Sequence, residues 1–208
     1  KTGDTATSGD DADFYGVNSA ILVNTDGTLE ISDVEINTDS KGSNGIFVTN
    51  AESSSDSSSQ GGGAGGQPPE AMGGGGQPPE MPDGGQGSGG GGQPQESTVE
   101  GTTEATIKNV KITTHSDKSR GLDATYNGII NAENVIINTD GQSCAALATD
   151  RGEGQVHVKN SDINTGVSKT SGRGSPLIYS TGNITLENSK GTSYVSQIAC
   201  IEGKNSIE

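Results

Sequence analysis

The sequence predicts an all-β protein, a right-handed parallel β-helix of about five to six coils with one long Gly/Pro-rich insertion. Two recurring kinds of segment carry this prediction. The longer kind occurs five times, at 28–38, 105–114, 128–139, 155–165 and, weakened, at 183–193. The shorter kind occurs six times, at 20–24, 45–49, 121–125, 145–149, 176–180 and 199–203. A fixed period of roughly 20–50 residues is typical of stacked units that bury a core only together.

The steps between repeats match the length of one coil. Between successive short segments they are 25, 76, 24, 31 and 23 residues, counted from one to the next of Ile21, Ile46, Leu122, Ala146, Leu177 and Cys200. Only the second step is long, because it contains the insertion. Within each repeat, apolar and polar residues alternate as they do in strands. Gly, Asn, Asp, Ser and Thr lie between these runs and favour tight turns.

The long segments predict columns of equivalent side chains in successive coils. Alternate residues of a strand share a face, so two apolar columns point into one interior. These columns are Leu29, Ala105, Ile130, Val156, Ile184 and then Ile31, Ile107, Ala132, Val158, Leu186. A third inward column of isoleucines contains Gly191 in the last copy, which predicts looser packing there. At the bend after the second column we expect a structural ladder of polar side chains, formed by Asp33, Asn109, Asn134, Asn160 and Asn188.

Composition agrees with a solenoid and restricts the partners. Only 27% of the 208 residues are hydrophobic, with 34 glycines and no tryptophan, whereas a compact globule of this length needs more apolar mass. The net charge of −15 argues against nucleic acid and anionic membrane surfaces as partners. No apolar run is long enough to insert this segment directly into a membrane. An acidic, well-solvated surface favours an extracellular or cell-surface location.

Three segments make up what we interpret as a single domain. Residues 1–50 form the N-terminal segment and first coils, residues 51–104 are the low-complexity Gly/Pro/Ser-rich insertion, and residues 105–208 form the remaining coils. The insertion contains three imperfect copies of one Gly-rich unit that ends in Gln-Pro-Pro-Glu or Gln-Pro-Gln-Glu. Such a composition is typical of a spacer or a sticky segment. The last residues resemble another repeat, so we expect a fragment of a longer protein.

Candidate ligand-binding residues are few. Carboxylates at coil ends are hard oxygen ligands, which makes calcium the one candidate cofactor. Its candidate ligands are Asp26, Asp39, Asp140 and Asp150, with solvation of the turns as their alternative role.

Tyr126 and Tyr179 lie at the short segments and are candidate glycan contacts, because an aromatic face can stack on a sugar ring. Cys144 and Cys200 fall two coils apart, about 10 Å, which is too far for a disulfide.

A second apolar row on the short segments is the candidate interface. If the aligned residues point inward, their neighbours point outward and form an exposed row, interrupted only by Asp123. The row consists of Leu22, Phe47, Leu147, Ile178 and Ile201. Exposed apolar rows often mark interaction surfaces, so self-association or contact with other surface proteins is expected. The polar residues 1–13 could cover one end of the solenoid.

Several strings resemble a known group of proteins. GLDATYNG, NVIINTDGQSCAALATDRGEGQVHV, SPLIYSTGNITLEN and IEGKNSI are similar to the β-helix repeats of adhesin-like or carbohydrate-binding-domain surface proteins of anaerobic, gut-type bacteria. The resemblance covers roughly residues 16–50 and 105–208. It implies a right-handed parallel β-helix, export and a role at the cell surface. It implies no reaction and carries over no catalytic residues.

We therefore expect a non-catalytic extracellular β-helix that serves as a surface stalk, an adhesin or a self-associating structural unit. The first alternative is a carbohydrate-binding module, with a glycan as partner. The second is a polysaccharide lyase or hydrolase of the β-helix type, for which Arg120, Arg151 and Arg173 are the basic candidates. The pattern of pectin-degrading hydrolases is not matched, because Asn-Thr-Asp recurs at coil ends and His-Gly and Arg-x-Lys are missing. That recurrence indicates turn chemistry.

Overall fold

A computed structural model describes residues 10–51, 101–169 and 174–202 and the backbone of 206–207. One short helix, α1 (Asp10–Asp13), precedes the strands. In chain order the strands are β1 (Ile21–Asn24), β2 (Thr28–Ser32), β3 (Glu35–Thr38), β4 (Ile46–Thr49), β5 (Glu104–Lys108), β6 (Lys111–Thr114), β7 (Leu122–Thr125), β8 (Ile129–Glu133), β9 (Ile136–Thr139), β10 (Leu147–Thr149), β11 (Gln155–Lys159), β12 (Asp162–Thr165), β13 (Ile178–Ser180), β14 (Asn183–Glu187), β15 (Lys190–Ser193), β16 (Ala199–Ile201) and β17 (Ser206–Ile207).

Each coil contributes one strand to each of three parallel sheets. The first sheet has the order β1-β4-β7-β10-β13-β16, the second contains β2, β5, β8, β11, β14 and β17, and the third contains β3, β6, β9, β12 and β15. Successive coils pair in parallel in all three sheets. The predicted all-β parallel β-helix is therefore confirmed, with five full coils and a partial sixth.

The core is a narrow column between the three sheets. In the second sheet the strands alternate between inward buried and outward residues, as in β5 and β11. The third sheet adds the isoleucine column, which includes the fully buried Ile112, Ile137 and Ile163. Leu29 and Ile31 of the first coil and Leu186 of the fifth are only partly buried. Burial is therefore most complete in the central coils, which have a neighbouring coil on both sides.

The register of the first sheet corrects the sequence alignment by one residue. Leu122 pairs with Leu147, and Leu147 pairs with Ile178, whereas the alignment placed Ala146 and Leu177 in that column. Ala146 and Leu177 instead occupy the bend that precedes the strand, where Gly45 lies in the second coil. The bend residue is also directed inward, so an apolar residue there imitates the first residue of the strand in the sequence.

Bend residues and the isoleucine column complement each other in size. A Cβ atom at Gly45 would lie 2.5 Å from Ile112 Cγ2, and one at Gly121 would lie 2.5 Å from Ile137 Cγ2. In the fifth coil the sizes are exchanged, because the bend carries Leu177 and a Cβ at Gly191 would overlap its side chain. Leu177 thus occupies the space that an isoleucine at position 191 would fill, which compensates for the glycine.

The polar ladder predicted at the second bend occupies equivalent positions in five coils. All five residues have a left-handed backbone, with φ between 49° and 59°, which asparagine and aspartate tolerate better than most residues. The Asn109 amide donates to Asp33 Oδ1 at 3.0 Å, and the Asn134 amide donates to Asn109 Oδ1 at 2.6 Å. The Asn160 amide donates to Glu133 at 3.5 Å instead, so the side-chain ladder ends after three coils.

Buried hydroxyl groups connect the coils at the third bend. The backbone N–H of Ser43 donates to Ser119 Oγ, that of Ser119 to Cys144 Sγ, and that of Cys144 to Ser175 Oγ. A column of threonine hydroxyls donates across the same bend to the carbonyls of these residues, from Thr38, Thr114, Thr139 and Thr165. Both cysteines are free thiols, and burial raises the pKa of Cys144 to about 12. Cys144 is therefore a structural member of this ladder.

The insertion leaves and re-enters the coil at one point. The Asn50 amide donates to the Gly101 carbonyl at 3.3 Å, and the Thr103 hydroxyl donates to Asn50 Oδ1 at 2.8 Å. In the first coil the same connection is the short turn Thr25–Gly27 between β1 and β2. The predicted insertion, 51–104, ends at the first residue of β5, and 52–100 lie outside the described residues.

We predict that Leu177 and Gly191 are energetically coupled. Gly191→Ile alone should destabilise the fold by about 1–3 kcal/mol through overpacking, and Leu177→Ala alone by about 2–5 kcal/mol through a cavity. The double variant should be less destabilised than the sum of the two, because the isoleucine then fills the space of the leucine. Urea unfolding of all four proteins measures the coupling. Additivity within about 0.5 kcal/mol would contradict the size exchange.

We predict that replacing residues 52–100 with a short turn leaves the fold intact. The two ends of the insertion already meet at Asn50, and each doubling of a flexible loop changes the closure free energy by only about 0.6 kcal/mol. The unfolding midpoint of the shortened chain should therefore lie within a few degrees of the parent. A much lower midpoint would mean that the insertion packs on the solenoid.

Candidate functional site

The N-terminal segment crosses the outer face of the first sheet. We call residues 10–17 the strap; it consists of α1 and the four residues that follow. Its backbone is held by Thr125, whose hydroxyl donates to the Phe14 carbonyl at 2.9 Å. It is also held by Arg120, whose guanidinium donates to the Asp13 carbonyl at 3.1 Å. Lys118 forms an ion pair of 2.6 Å with the Asp13 carboxylate.

Aromatic contacts seat the strap on the sheet. The Tyr15 ring stacks on the Tyr126 ring, with 5.6 Å between centroids and 11° between planes. The Arg151 guanidinium lies 3.8 Å above the centre of the Phe14 ring. Gly16, with φ of 66°, lies so close to Phe47 that a Cβ atom would overlap the ring. The strap therefore spans the second to fourth coils and shields their outer face from water.

The strap and the register overturn the prediction of an exposed apolar row. Phe47 points outward but is fully buried, because the strap covers it. Leu147 and Ile178 belong to the column that continues from Ile46 and Leu122, and both are buried. Of the predicted row, Leu22 and Ile201 are exposed, at the two ends of the sheet. Of the residues 1–13 that we predicted to cover one end, 10–13 lie on the side of the solenoid, and 1–9 lie outside the described residues.

Beneath the strap lies a buried ionic cluster of Arg120, Asp123 and Asp150. Arg120 donates to Asp123 Oδ2 at 2.9 Å through Nη1 and to Asp150 Oδ2 at 3.0 Å through Nη2. The side chain of Asp123 is 0% exposed, and those of Arg120 and Asp150 are 13% and 14% exposed. Asp123 Oδ1 has no hydrogen-bond partner among the described residues. One guanidinium thus holds two carboxylates and the strap backbone.

The cluster shifts the pKa of each of its members. Burial raises the pKa of Asp123 to about 7, against the opposing attraction of Arg120. Burial also raises the pKa of Asp150, again opposed by Arg120. For Arg120, burial acts to lower the pKa, but the nearby carboxylates of Asp123, Asp150 and Asp13 outweigh it and the net shift is upward. Arg120 therefore stays charged while Asp123 takes up a proton near neutral pH.

A cavity of about 360 Å³ adjoins the cluster. Arg120 and Asp150 form one wall, and Tyr179, Gln197 and Cys200 form another. The Tyr179 hydroxyl donates to Glu202 at 2.9 Å, and burial together with this bond raises its pKa. Asp123 does not line the cavity, so Asp150 is the carboxylate of the cluster that could meet a ligand.

The two candidate glycan contacts have different environments. Tyr126 is 1% exposed and lies under Tyr15, so its ring is not available to a sugar, and the prediction for Tyr126 is wrong. Tyr179 is only partly buried and lines the cavity. The prediction for Tyr179 stays open.

A second groove of about 310 Å³ runs over the outer face of the second sheet. One wall alternates in charge in register, from Lys108 to Glu133, Lys159 and Glu187. The opposite wall contains hydrogen-bonding groups, including His157, whose Nδ1 lies 2.9 Å from Thr185 Oγ1. Lys159 and Glu133 are 3.5 Å apart. The groove is thus polar and nearly charge-balanced.

The candidate calcium ligands occupy separate turns. Asp26 follows β1 and Asp150 follows β10, three coils later in the same sheet, while Asp39 and Asp140 follow β3 and β9. Asp140 accepts the Gly141 N–H and Asp150 accepts the Arg151 N–H, as expected of turn carboxylates. The described ranges contain no group of three or more His, Cys, Asp or Glu that could hold a metal ion. Calcium binding stays a prediction.

The sequence signalled the strap and the cluster only weakly. Asp123 interrupts an apolar row and Arg120 precedes it, which could have indicated a buried pair. The partner at Asp150 and the strap residues Asp13–Gly16 are distant in sequence and belong to no motif. Of the three candidate arginines, Arg120 and Arg151 both contact or hold the strap, and Arg173 lies outside the described residues.

Comparison with known proteins gives no assignment. No protein-family model matches this chain, and neither a curated protein nor a solved structure matches it. Among the helices that the structure describes, none is long and apolar enough to cross a membrane. Function must therefore be argued from the geometry of the molecule.

We predict that Arg120 stabilises the fold most strongly above neutral pH. Arg120→Met leaves Asp123 and Asp150 buried without their cation, and breaking a buried pair this way costs about 3–5 kcal/mol. The loss should be smaller at pH 5 than at pH 8, because burial already favours the protonated form of both carboxyls. Urea unfolding at the two pH values measures this difference.

Lys111→Met is the matched control for that measurement. Its ion pair with Glu35 is exposed on both sides, and exposed ion pairs contribute little to stability. The control should therefore have little effect at either pH. An Arg120→Met protein as stable as the control at pH 8 would show that the cluster is not a structural unit.

Proposed function

We propose that this chain is a non-catalytic extracellular β-helix, a surface stalk or adhesin segment that self-associates. The observation that favours this function is how its charged groups are used. Arg120 bonds Asp123, Asp150 and the strap backbone, and turn carboxylates such as Asp140 and Asp150 accept neighbouring N–H groups. Acid–base catalysis needs a group free to exchange a proton with a bound substrate. The bonding of these side chains favours a structural role instead.

The apolar surface of the last coils favours self-association. Tyr194, Ile198 and Ile201 are 46%, 51% and 50% exposed and lie within eight positions of one another in the chain. A cluster of exposed apolar side chains often marks an interaction surface.

Sedimentation velocity at increasing protein concentration tests this proposal. We expect the parent protein to associate and the Ile198→Glu/Ile201→Glu variant to stay monomeric at the same concentrations. Ile136→Glu is the matched control, because Ile136 is 47% exposed but lies on the outer face of the third sheet. The control should associate like the parent. A monomeric parent at every concentration would refute self-association, and release of reducing ends from polysaccharides would refute the non-catalytic assignment.

A carbohydrate-binding module is the second candidate, favoured by the cavity beside Tyr179. An aromatic ring next to an Arg–Asp pair offers both a stacking face and hydrogen-bonding groups, which suits a sugar ring. Glycan-array binding of the parent and of Tyr179→Ala tests it, with Tyr194→Ala as the control, since Tyr194 lies outside the cavity. Binding that only Tyr179→Ala abolishes would support this candidate. No binding by the parent would eliminate it.

A further inference from the structure

The strap contacts the solenoid almost entirely through side chains on the outer face of the first sheet. Its partners are side chains that project from the face of the first sheet and the bends beside it: Phe47, Lys118, Arg120, Thr125, Tyr126 and Arg151. It contributes no strand to any sheet. Release of the strap would therefore leave the stacked coils and their core unchanged. Its docking is an equilibrium that can be separate from global unfolding.

Docking of the strap buries one carboxyl group that forms only part of its possible hydrogen bonds. Asp123 lies on the outward face of β7, in register with Phe47, so it is the strap and its neighbours that remove it from water. Its Oδ2 accepts from Arg120, but its Oδ1 has no partner among the described residues. A buried carboxylate with an unsatisfied oxygen is unfavourable when charged. Taking up a proton lowers that penalty.

We propose that residues 10–17 form a releasable strap that docks more tightly as the pH falls and loosens as the pH approaches neutrality. The device consists of the strap, the face that it covers and the carboxyl group of Asp123 between them. Opening would uncover Phe47 and Tyr126, which the strap now shields from water. The outer face of the second to fourth coils would then present an apolar strip to partners.

The direction of the effect follows from linkage. With the strap docked, burial raises the pKa of Asp123 to about 7, and with the strap released the side chain is exposed and its pKa returns toward the ordinary 3.8. The docked state therefore binds the proton more tightly. Docking is strongest below the lower value and weakens as the pH rises toward the higher one, by at most about tenfold per pH unit for one proton.

The neighbouring charges do not reverse this direction. Burial raises the pKa of Asp150 as well, so its protonation also favours the docked state. Arg120 remains charged, because its surrounding carboxylates raise its pKa. The groups that face Asp123 from the packed elements are Arg120, Asp150 and Asp13, with Lys118 and Arg151 at the rim of the strap.

Hydrogen–deuterium exchange of the strap amides at pH 5 and pH 7.5 tests the proposal on the full chain. Rates are divided by the intrinsic rate at each pH, and the amides of β11 and β12 serve as an internal reference. We expect the protection of residues 11–17 to fall about tenfold or more from pH 5 to pH 7.5, while the reference stays constant. Equal strap protection at the two pH values would overturn the proposal.

Variants distinguish the effect of Asp123 on strap docking from the effects of other titrating groups. Asp123→Asn is neutral at every pH, so its strap should stay protected at pH 7.5 and lose most of the pH dependence. Glu30→Gln, which changes an exposed carboxylate on β2, should behave like the parent. Strap protection that keeps the full pH dependence in Asp123→Asn, or falls at pH 5 in that variant, would mean that Asp123 is not the switch.

A second measurement tests the proposal without Asp123→Asn, in case that variant does not fold. Gly16→Ala places a Cβ on the Phe47 ring and should release the strap without touching the cluster. The ¹³C carboxyl resonance of Asp123 should then titrate well below its midpoint in the parent. An unchanged midpoint in a variant whose strap exchanges freely would show that strap docking does not bury Asp123.

Discussion

In-register stacking of coils is the constraint on which this molecule depends. Parallel backbone hydrogen bonds place each residue directly above its equivalent, about 4.8 Å away, so every position becomes a column. The side chains of one column must therefore pack against one another or hydrogen-bond one another, because each mainly contacts the equivalent residues of the neighbouring coils. Isoleucines fill the interior, hydroxyl groups bridge the third bend, and Asp33, Asn109 and Asn134 bond one another at the second. A chain with 27% hydrophobic residues can fold in this way because backbone pairing and polar columns supplement a narrow core.

Columns also explain where the sequence departs from its own repeat. Leu177 and Gly191 exchange the sizes that Gly45 and Ile112 have, and the packing around the third sheet is kept. The insertion replaces one short turn and is closed by Asn50 and Thr103, so a long segment enters the chain without breaking any ladder. Both changes are tolerated because each is local to one coil and compensated inside it.

The outer face of the first sheet differs from the other two faces, because a cluster of buried ionic groups lies on it. On the third sheet, by contrast, the ion pair of Lys111 and Glu35 is exposed on both sides. Under the strap, one arginine instead connects two buried carboxylates to a segment from the far N-terminal side of the chain. Buried ionic groups of this kind add little net stability but fix a particular arrangement, and they respond to pH. The arrangement suits an apolar strip that is covered under some conditions and open under others.

The sequence by itself determined the fold, the coil boundaries and most of the inward columns, because the period of a repeating structure is visible as a repeat in its sequence. It also placed the asparagine bend, where the left-handed backbone selects for that residue type. It failed by one residue in the first sheet, where Ala146 and Leu177 at the bend resemble the apolar residues that begin the strands. The strap, the burial of Phe47 and Tyr126, and the contacts that join the Arg120–Asp123 pair to Asp150 and to the strap were decided only by tertiary structure. These contacts join segments that are far apart and not repeated, so no pattern along the chain records them.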